Sequence, residues 1–317
     1  MKYVLSACIA LSVVAAACTP SETEGDTTTS ESPMPANDTS EAGLQDDLLI
    51  EHETPTDAPK DAATKKPSVH RIHGKSDAIP CSEAGPQAPR DIASLAGNNK
   101  IQFDFAPPAT ELNLCNIHTH TNAEHKGPGF SVFVEKEEHG GYACNGGGNL
   151  TEAEKAPAPG AYGAVEPGDT IEVHWVYTSC EATPGHTLSA CIPAGCTDPA
   201  LRVESQVFLL VNDENAADFM TMNYGGTVID GLHQAKKLPD TTGTPVEFIG
   251  STTGHDYNDQ ECSPYQVTWN VRQQCEKLDI NSLHEWAESG NVFEETGSHD
   301  VRHLVTNPEI LADMSNP

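Results

Sequence analysis

The sequence predicts a mostly β (α+β) fold, and three observations support this class. Residues 169–177 alternate apolar and polar side chains directly after a Pro-Gly turn, as is typical of a β-strand. Residues 205–211 place apolar side chains on both faces, as expected of a strand that is covered on both sides. The helical pattern is short, covering 281–289, with Asn281 or Ser282 as the N-cap.

Four further segments complete the predicted set of strands. Each is a strand-length run between segments that are long and rich in Gly and Pro. The four segments are 111–120, 131–135, 245–249 and 265–271. The sequence contains no internal repeat.

The N-terminus predicts export. Residues 1–18 have a short charged start, then an apolar run of about 15 residues, then small residues, as in a secretory signal peptide. A membrane span needs roughly 20 residues, so this run is too short for one. Small residues directly before Cys18 resemble a bacterial lipobox, which implies lipidation of Cys18 and a membrane-anchored lipoprotein facing the periplasm. Ordinary cleavage nearby is the alternative, and it implies a periplasmic or secreted protein.

The rest of the chain divides into a tether and one domain. Residues 19–75 form an acidic segment rich in Ser, Thr and Pro, and 19–66 contains no aromatic residue. Such a segment buries too little apolar surface to offset its ordering entropy, so it is predicted to be disordered. Residues 76–317 are long enough for one domain with a substantial core.

The charge and the cysteine content argue against a nucleic-acid-binding protein and favour an exported, disulfide-bonded one. The formal net charge of -30 argues against a nucleic-acid partner, whose phosphates would be repelled. Beyond Cys18 the cysteines are even in number, which predicts disulfides in an exported chain. Spacing alone cannot pair them, although Cys191 and Cys196 could close a local loop. The sequence has no CxxC pair, which weakens a thiolate zinc or redox interpretation.

The most informative segment is His118-Thr-His120-Thr-Asn-Ala-Glu124-His125. Residues two apart on a strand share a face, so His118 and His120 project together. His174, in the predicted strand 169–177, is the natural third ligand. A three-histidine set leaves a tetrahedral position open for water, as in a catalytic zinc site. Such a metal lowers the pKa of bound water to about 7.

These residues resemble those of carbonic anhydrases, most closely the delta class of marine algae and related bacterial proteins, with landmarks of the alpha class. The family patterns H-x-H-x-x-x-E-H and E-x-H-x-V are matched at 118–125 and at 172–176. Three shorter patterns, C-x-x-x-G-x-Q-x-P-x-x-I, G-S-(L)-T-T and V-T-W, are matched at 81–92, 250–253 and 267–269. The matches follow the family's order along the chain.

The resemblance implies a central, twisted, largely antiparallel sheet with short peripheral helices, like that of the alpha class. It implies reversible hydration of CO2 to bicarbonate and a proton by hydroxide on a three-histidine zinc ion. His118, His120 and His174 would bind the Zn²⁺. Asn116 and Glu172 would accept the other ring protons of His118 and His174, which fixes the ligand tautomers.

The resemblance also implies a proton relay and an apolar pocket. Thr252 would accept the proton of the zinc hydroxide and donate its own to Glu124, while Thr253 would contact bicarbonate. CO2 is uncharged and would lie against an apolar wall. That wall would consist of Val176, Val267 and Trp269.

Three further expectations come from the same family. Cys81 and Cys262 would form a disulfide, and His125 would be structural. No proton shuttle is assigned, because Asn98-Asn99-Lys100 stands where alpha enzymes often carry a histidine, and a lysine stays protonated near pH 7. Six further histidines are expected at the surface: His186, His233, His255, His284, His299 and His303. Of these, His255 could substitute for the missing proton shuttle.

Two alternatives remain open. A cupin-type metalloenzyme would use His118, His120, Glu124 and His174, with Glu124 as a fourth ligand. The spacing from Gly168 to His174 is longer than in cupins, however, and the later motifs would then have no role. A non-catalytic metal-binding lipoprotein is the second alternative, although relatives of that kind usually lack a zinc histidine. Whether Glu124 contacts metal or Thr252 separates the two enzyme interpretations.

Overall fold

A six-stranded mixed sheet lies at the centre of the computed structural model, which describes residues 84–136, 140–251, 262–263 and 265–315. The strands within these residues are β1 (Asn113–Thr121), β2 (Val132–Val134), β3 (Gly141–Ala143), β4 (Thr170–Thr178), β5 (Leu201–Val211), β6 (Val228–Ile229), β7 (Leu232–His233), β8 (Val246–Ser251), β9 (Gln266–Val271) and β10 (Glu276–Asp279). The helix α1 spans Ile280–Glu288 directly after β10.

The sheet has the order β1-β4-β5-β9-β8, and the hairpins β2–β3 and β6–β7 lie outside it. β1 with β4, β4 with β5, and β8 with β9 are antiparallel pairs. β9 and β10 run parallel to β5, beside its first and second halves respectively. The predicted mostly β class is confirmed, and the sheet mixes antiparallel with parallel pairings.

The start of β5 and the N-cap of α1 differ from their predicted positions. β5 begins at Leu201, ahead of the predicted start at Ser205, because polar residues in its first half are paired. There Arg202 Nε donates to Glu204 Oε1 at 2.6 Å, so both side chains can be buried within a strand. The predicted N-cap of α1 is wrong: Asp279 caps the helix, and its side chain accepts from the backbone N–H of the following Asn281.

The sheet separates two buried clusters of apolar side chains. One face contributes Ile117, Val173 and Trp175, which lie in one cluster with Phe219 and with Trp286 of α1. The other face contributes the residues of a second cluster. That cluster includes Cys115, Val176, Val203, Val207, Phe248 and Trp269. Side chains alternate between the two faces along each strand, so β1 and β4 supply both clusters.

Three disulfides join six of the described cysteines: Cys115–Cys191, Cys144–Cys275 and Cys180–Cys196. The local bond predicted between Cys191 and Cys196 is therefore wrong, because the fold brings each of them to a partner elsewhere. Disulfides are typical of exported proteins. Within the described part of the chain, every helix falls short of the length and apolarity of a membrane span.

Several predictions fall outside the described residues. Cys262 is disulfide-bonded. Its predicted partner Cys81 is not described, so that pairing stays a prediction. The signal peptide, Cys18 and the tether also lie outside the described residues.

Phe219→Ala is expected to lower the free energy of unfolding by about 3–5 kcal/mol, since it leaves a cavity in a fully buried site. The Phe219 ring packs 4.7 Å from Trp286 and 6.3 Å from Trp175, between ring centroids. Denaturant unfolding measures the change. Phe133→Ala is the control, because Phe133 is 57% exposed and its loss should change stability little. Equal losses in both variants would contradict the assignment of Phe219 to the core.

Candidate metal centre

The register of β1 against β4 brings three histidines together. His118 lies directly opposite His174, and His120 lies opposite Glu172. His118 and His120 are two residues apart on one strand, so both project from the same face as His174. The ligand nitrogens of all three histidines lie within 4.8 Å of one another. The structure therefore brings together the three histidines that the sequence singled out.

The separation of two of these nitrogens fits a shared metal ion. His118 Nε2 lies 3.3 Å from His174 Nδ1. Two nitrogens bound to a tetrahedral zinc ion at about 2.0–2.1 Å would be roughly 3.3–3.4 Å apart. Three neutral imidazoles with an open fourth position are the donor set of catalytic zinc sites.

The other nitrogen of each ring lies beside an oxygen acceptor. His118 Nδ1 donates to Asn116 Oδ1 at 2.6 Å, and His120 Nδ1 donates to a backbone carbonyl, that of Asp300, at 3.0 Å. His174 Nε2 lies 3.3 Å from Glu172 Oε1. Such partners fix the tautomer and orientation of metal-binding histidines. Asn116 lies beside His118 and Glu172 lies beside His174, as the sequence predicted. The carbonyl of Asp300 belongs to the main chain, so no residue pattern could have predicted it.

Burial favours the neutral form of two of these histidines, His118 and His120. Burial, followed by the neighbouring imidazoles, holds the pKa of His118 well below its usual value. Burial also lowers the pKa of His120 to about 4, although Glu124 opposes the shift. Neutral imidazoles have a free lone pair, so the site is ready for a metal ion near neutral pH.

Glu172 connects the metal centre to the sheet beneath it. The side chain is fully buried. Its Oε1 lies 3.0 Å from His125 Nδ1, and its Oε2 accepts from the backbone N–H of Glu124 at 2.7 Å. Burial alone would raise the pKa of Glu172, but His125 and His174 outweigh it and hold the pKa well below its usual value. His125 itself is fully buried, as expected of a structural histidine.

Glu124 is held by an arginine that no motif predicted. Arg302 Nε donates to Glu124 Oε1 and Nη2 donates to Oε2, both at 3.1 Å. Burial would raise the pKa of Glu124, but Arg302 and then His120 outweigh it and hold the pKa well below its usual value. Its Oε1 lies 3.7 Å from His120 Nε2. A Glu124 oxygen lies within 4.8 Å of ligand nitrogens of His125 and His174. The guanidinium bound to both carboxylate oxygens would nevertheless repel a cation and so disfavours Glu124 as a fourth metal ligand.

The predicted apolar wall lies next to the histidines. Val176 pairs with Val203 on β5, which in turn pairs with Trp269 on β9, so the three form a row across neighbouring strands. All three are nearly fully buried, as is Val267. The centroid of the Trp269 ring lies 5.3 Å from that of His174. The other two predicted residues of the reaction, Thr252 and Thr253, lie outside the described residues.

Two histidines that were expected at the surface differ from simple surface residues: His284 is buried, and His299 lies near the metal centre. His284 is buried, so that expectation is wrong for it: its Nδ1 accepts from the backbone of Tyr162 and its Nε2 donates to that of Ala158. His299 is 56% exposed, yet its ring centroid lies 6.5 Å from those of both His118 and His120. It stands there because its backbone pairs with β1.

A family model described as delta carbonic anhydrase matches residues 109–282, which is more than half of the 317-residue chain. This chain belongs to the delta carbonic anhydrase family. The matched region includes the three histidines, Glu124 and Glu172. It ends before Asp300 and Arg302, so this chain's C-terminal segment adds contacts that lie beyond the family match.

Comparisons with other proteins add little to this assignment. Among curated proteins, no sequence matches the chain significantly. A fungal alpha carbonic anhydrase from Aspergillus oryzae is similar at 14% identity and a TM-score of 0.23, over 60% of this chain and 58% of the fungal one. The alpha carbonic anhydrase of Photobacterium profundum shows 15% identity and a TM-score of 0.24, over 71% of this chain and 88% of the other. This chain spans less than two thirds of the fungal protein. Because both TM-scores are low, the assignment to the delta carbonic anhydrase family depends on the family model.

Arg302→Met is expected to lower the free energy of unfolding by about 3–5 kcal/mol, because it leaves the buried Glu124 carboxylate without its cation. Adding Glu124→Gln should recover part of the loss, since the second change removes the uncompensated charge. Denaturant unfolding of the two variants tests this coupling. Lys136→Met is the control, because its ion pair with Asp300 is exposed and should be worth about 0–1 kcal/mol. A loss from Arg302→Met no larger than that of the control would contradict the coupling.

The metal-free protein is expected to lose stability as the pH falls from about 6.5 to about 4. Unfolded histidine has a pKa of about 6.5, whereas that of folded His120 is about 4. Between these values the unfolded state binds more protons, so acid favours unfolding. Denaturant unfolding of chelator-treated protein over this pH range measures the slope. His120→Asn should make the slope shallower, and an unchanged slope would contradict the shifted pKa.

Proposed function

We propose that this chain is a zinc-dependent carbonic anhydrase that catalyses the reversible hydration of CO2 to bicarbonate and a proton. The observation that carries the proposal is the convergence of three imidazole nitrogens whose other ring nitrogens each lie beside an oxygen acceptor. Membership of the delta carbonic anhydrase family supports the same activity.

His118, His120 and His174 would hold the zinc ion. Zinc bound there would lower the pKa of a bound water to about 7 and so supply hydroxide near neutral pH. Asn116 and Glu172 would keep the ring protons of His118 and His174 away from the metal. A soft thiolate metal site is not proposed, because the donors are nitrogens and the six cysteines paired in the described disulfides cannot serve as thiolates.

Glu124 and the two threonines are proposed to orient the reacting groups. Arg302 holds the Glu124 carboxylate ionised and fixed, so it can accept a hydrogen bond from the hydroxyl of Thr252. Thr252 would in turn accept a hydrogen bond from the nucleophile and thereby aim a lone pair at the carbon of CO2. Thr253 would contact bicarbonate as it forms.

The apolar row beside the histidines suits an uncharged substrate. Val176, Val267 and Trp269 offer CO2 a surface without polar partners, which water would fill only at a cost. Bicarbonate is charged and gains nothing from this surface. The same wall would therefore favour entry of CO2 and release of the product.

The position of Glu124 favours this function over a cupin-type enzyme. A cupin would need Glu124 as a metal ligand, but the positive charge of Arg302 lies against both of its oxygens and would repel a metal ion there. A non-catalytic metal-binding lipoprotein would keep the histidines but have no need of a CO2 surface. We further propose export, with Cys18 as a lipid anchor that attaches the domain to a membrane facing the periplasm.

Stopped-flow CO2 hydration tests the activity. The wild-type protein carrying zinc should hydrate CO2, and His174→Ala should abolish both zinc binding and hydration. His233→Ala is the matched control, because His233 lies on the β6–β7 hairpin, bonds Tyr224 and takes no part in the site. Removal of zinc by a chelator should abolish activity, and added zinc should restore it. Zinc-loaded wild type without hydration would refute the proposal.

Thr252→Ala separates the two enzyme interpretations. Loss of the relay misplaces the nucleophile, so kcat/KM should fall by about 10²-fold while zinc stays bound. Zinc content by elemental analysis is measured beside the hydration rate. An unchanged rate would argue against the relay, and iron or manganese retained through Glu124 would favour the cupin interpretation.

A further inference from the structure

The loop 179–200 between β4 and β5 folds back onto the start of β1, next to the proposed zinc ligands. Cys180–Cys196 closes the loop near its base, and Cys115–Cys191 ties its far arm to β1. Asn113 Nδ2 at the start of β1 also donates to the carbonyl of Cys180 at 2.9 Å. The loop is therefore attached to β1 by both covalent and hydrogen bonds.

β1 has a β-bulge where the loop attaches. The pairing with β4 shifts register between Leu114 and Asn116, which leaves Cys115 as the additional residue. Cys115 lies in the same buried cluster as Val176 and Trp269, on the side of the sheet that carries the histidines. The bulge thus places the disulfide and the Asn116 amide side by side.

Hydrogen bonds lead from this loop to a zinc ligand. The backbone N–H of Gly185 donates to the carbonyl of Cys115 at 3.0 Å, and Asn116 Nδ2 donates to the carbonyl of Gly185 at 3.1 Å. The other end of the same amide, Oδ1, accepts from His118 Nδ1 at 2.6 Å. Gly185 therefore bonds both residues of the bulge, and Asn116 joins it to His118.

The Gly185 carbonyl decides which way the amide faces. A carbonyl only accepts, so it takes the NH2 end of Asn116 and leaves the oxygen to face His118. That oxygen makes His118 Nδ1 the protonated nitrogen, and Nε2 keeps its lone pair for a metal. Asn116 and Cys191 are nearly fully buried in the folded chain, so the Gly185 carbonyl, and not bulk water, accepts from the amide.

We propose that the Cys115–Cys191 disulfide and Gly185 are positioning elements of the metal centre that set its affinity for zinc. They hold the Asn116 amide in the one orientation that presents His118 Nε2 to the ion. The inference rests on the proposed function for the metal itself, but it concerns zinc affinity and not the hydration step.

A pair of disulfide variants tests the inference. Cys115→Ala with Cys191→Val removes the tie and fills part of its volume. Cys144→Ala with Cys275→Val is the control: that disulfide joins residues 131 apart, against 76 for the first, so its loss frees at least as much chain entropy. Neither control cysteine bonds a ligand or Asn116. Competition with a chromogenic zinc chelator should show about 10- to 100-fold weaker binding in the first variant and unchanged binding in the control.

The outcomes separate this inference from the proposed function. A wild-type protein that binds no zinc through its histidines contradicts the proposed function. A wild type that binds zinc, with a Cys115/Cys191 variant that binds it equally well, overturns the positioning role. Equal weakening in both disulfide variants also overturns it, since general loosening would then explain the effect.

A second pair keeps both disulfides intact and serves if the first variant does not fold. Gly185→Pro removes the N–H that bonds Cys115, whereas Gly185→Ala retains it. A Cβ at Gly185 would meet Ala190 Cβ at 3.7 Å and the Thr183 carbonyl at 3.9 Å, which is ordinary contact. Zinc affinity should fall in the proline variant and stay unchanged in the alanine variant. Wild-type affinity in both overturns the inference.

A double-mutant cycle tests the route through Asn116. If the disulfide acts through this amide, Asn116→Ala should weaken zinc binding, and removing Cys115–Cys191 as well should add little. Fully additive losses would show that the disulfide acts independently of Asn116 and would overturn the route.

Discussion

The antiparallel register between β1 and β4 is the constraint on which the metal centre depends. It sets His118 opposite His174 and His120 opposite Glu172, so two ligands, a third ligand and an orienting carboxylate share one sheet face. A shift by one residue would send the β1 histidines to the apolar cluster on the opposite face. The bulge at Cys115 lies just ahead of this register and lets β1 carry both a disulfide and Asn116 on that side.

The pairing of β1 with β4 also buries two negatively charged carboxylates next to the histidines. Two carboxylates, Glu124 and Glu172, are buried beside the histidine cluster, in which His118 and His120 are held neutral. Each carboxylate needs partners to stay ionised there. Arg302 supplies them for Glu124, while His125, Ser205 and the backbone of Glu124 supply them for Glu172. The buried carboxylates are thus paired beneath a wall of apolar side chains, a combination suited to an uncharged substrate and a charged product.

Much of the fold and of the ligand set could be predicted because it rests on local patterns. Period-two alternation predicted β4, a continuous apolar run predicted β5, and the two-residue spacing of His118 and His120 indicated their common face. Arg302 could not be predicted, since it lies 178 residues from Glu124 and in no motif. The backbone carbonyl of Asp300 has no side-chain signature. The pairing of Cys191 with Cys115 likewise depends on where the loop 179–200 folds back, which spacing does not encode.

The sequence alone determined the mostly β class, the three histidines and the family resemblance, because each depends on residue type and short-range spacing. The tertiary structure decided what surrounds them. It determined the mixed pairing of β5 and the hydrogen bonds of Arg302 to Glu124. It also placed the His299 ring near His118 and the disulfide-bound loop beside Asn116. These features join segments far apart in the chain, and only burial and hydrogen bonding in the folded state select one such arrangement among many.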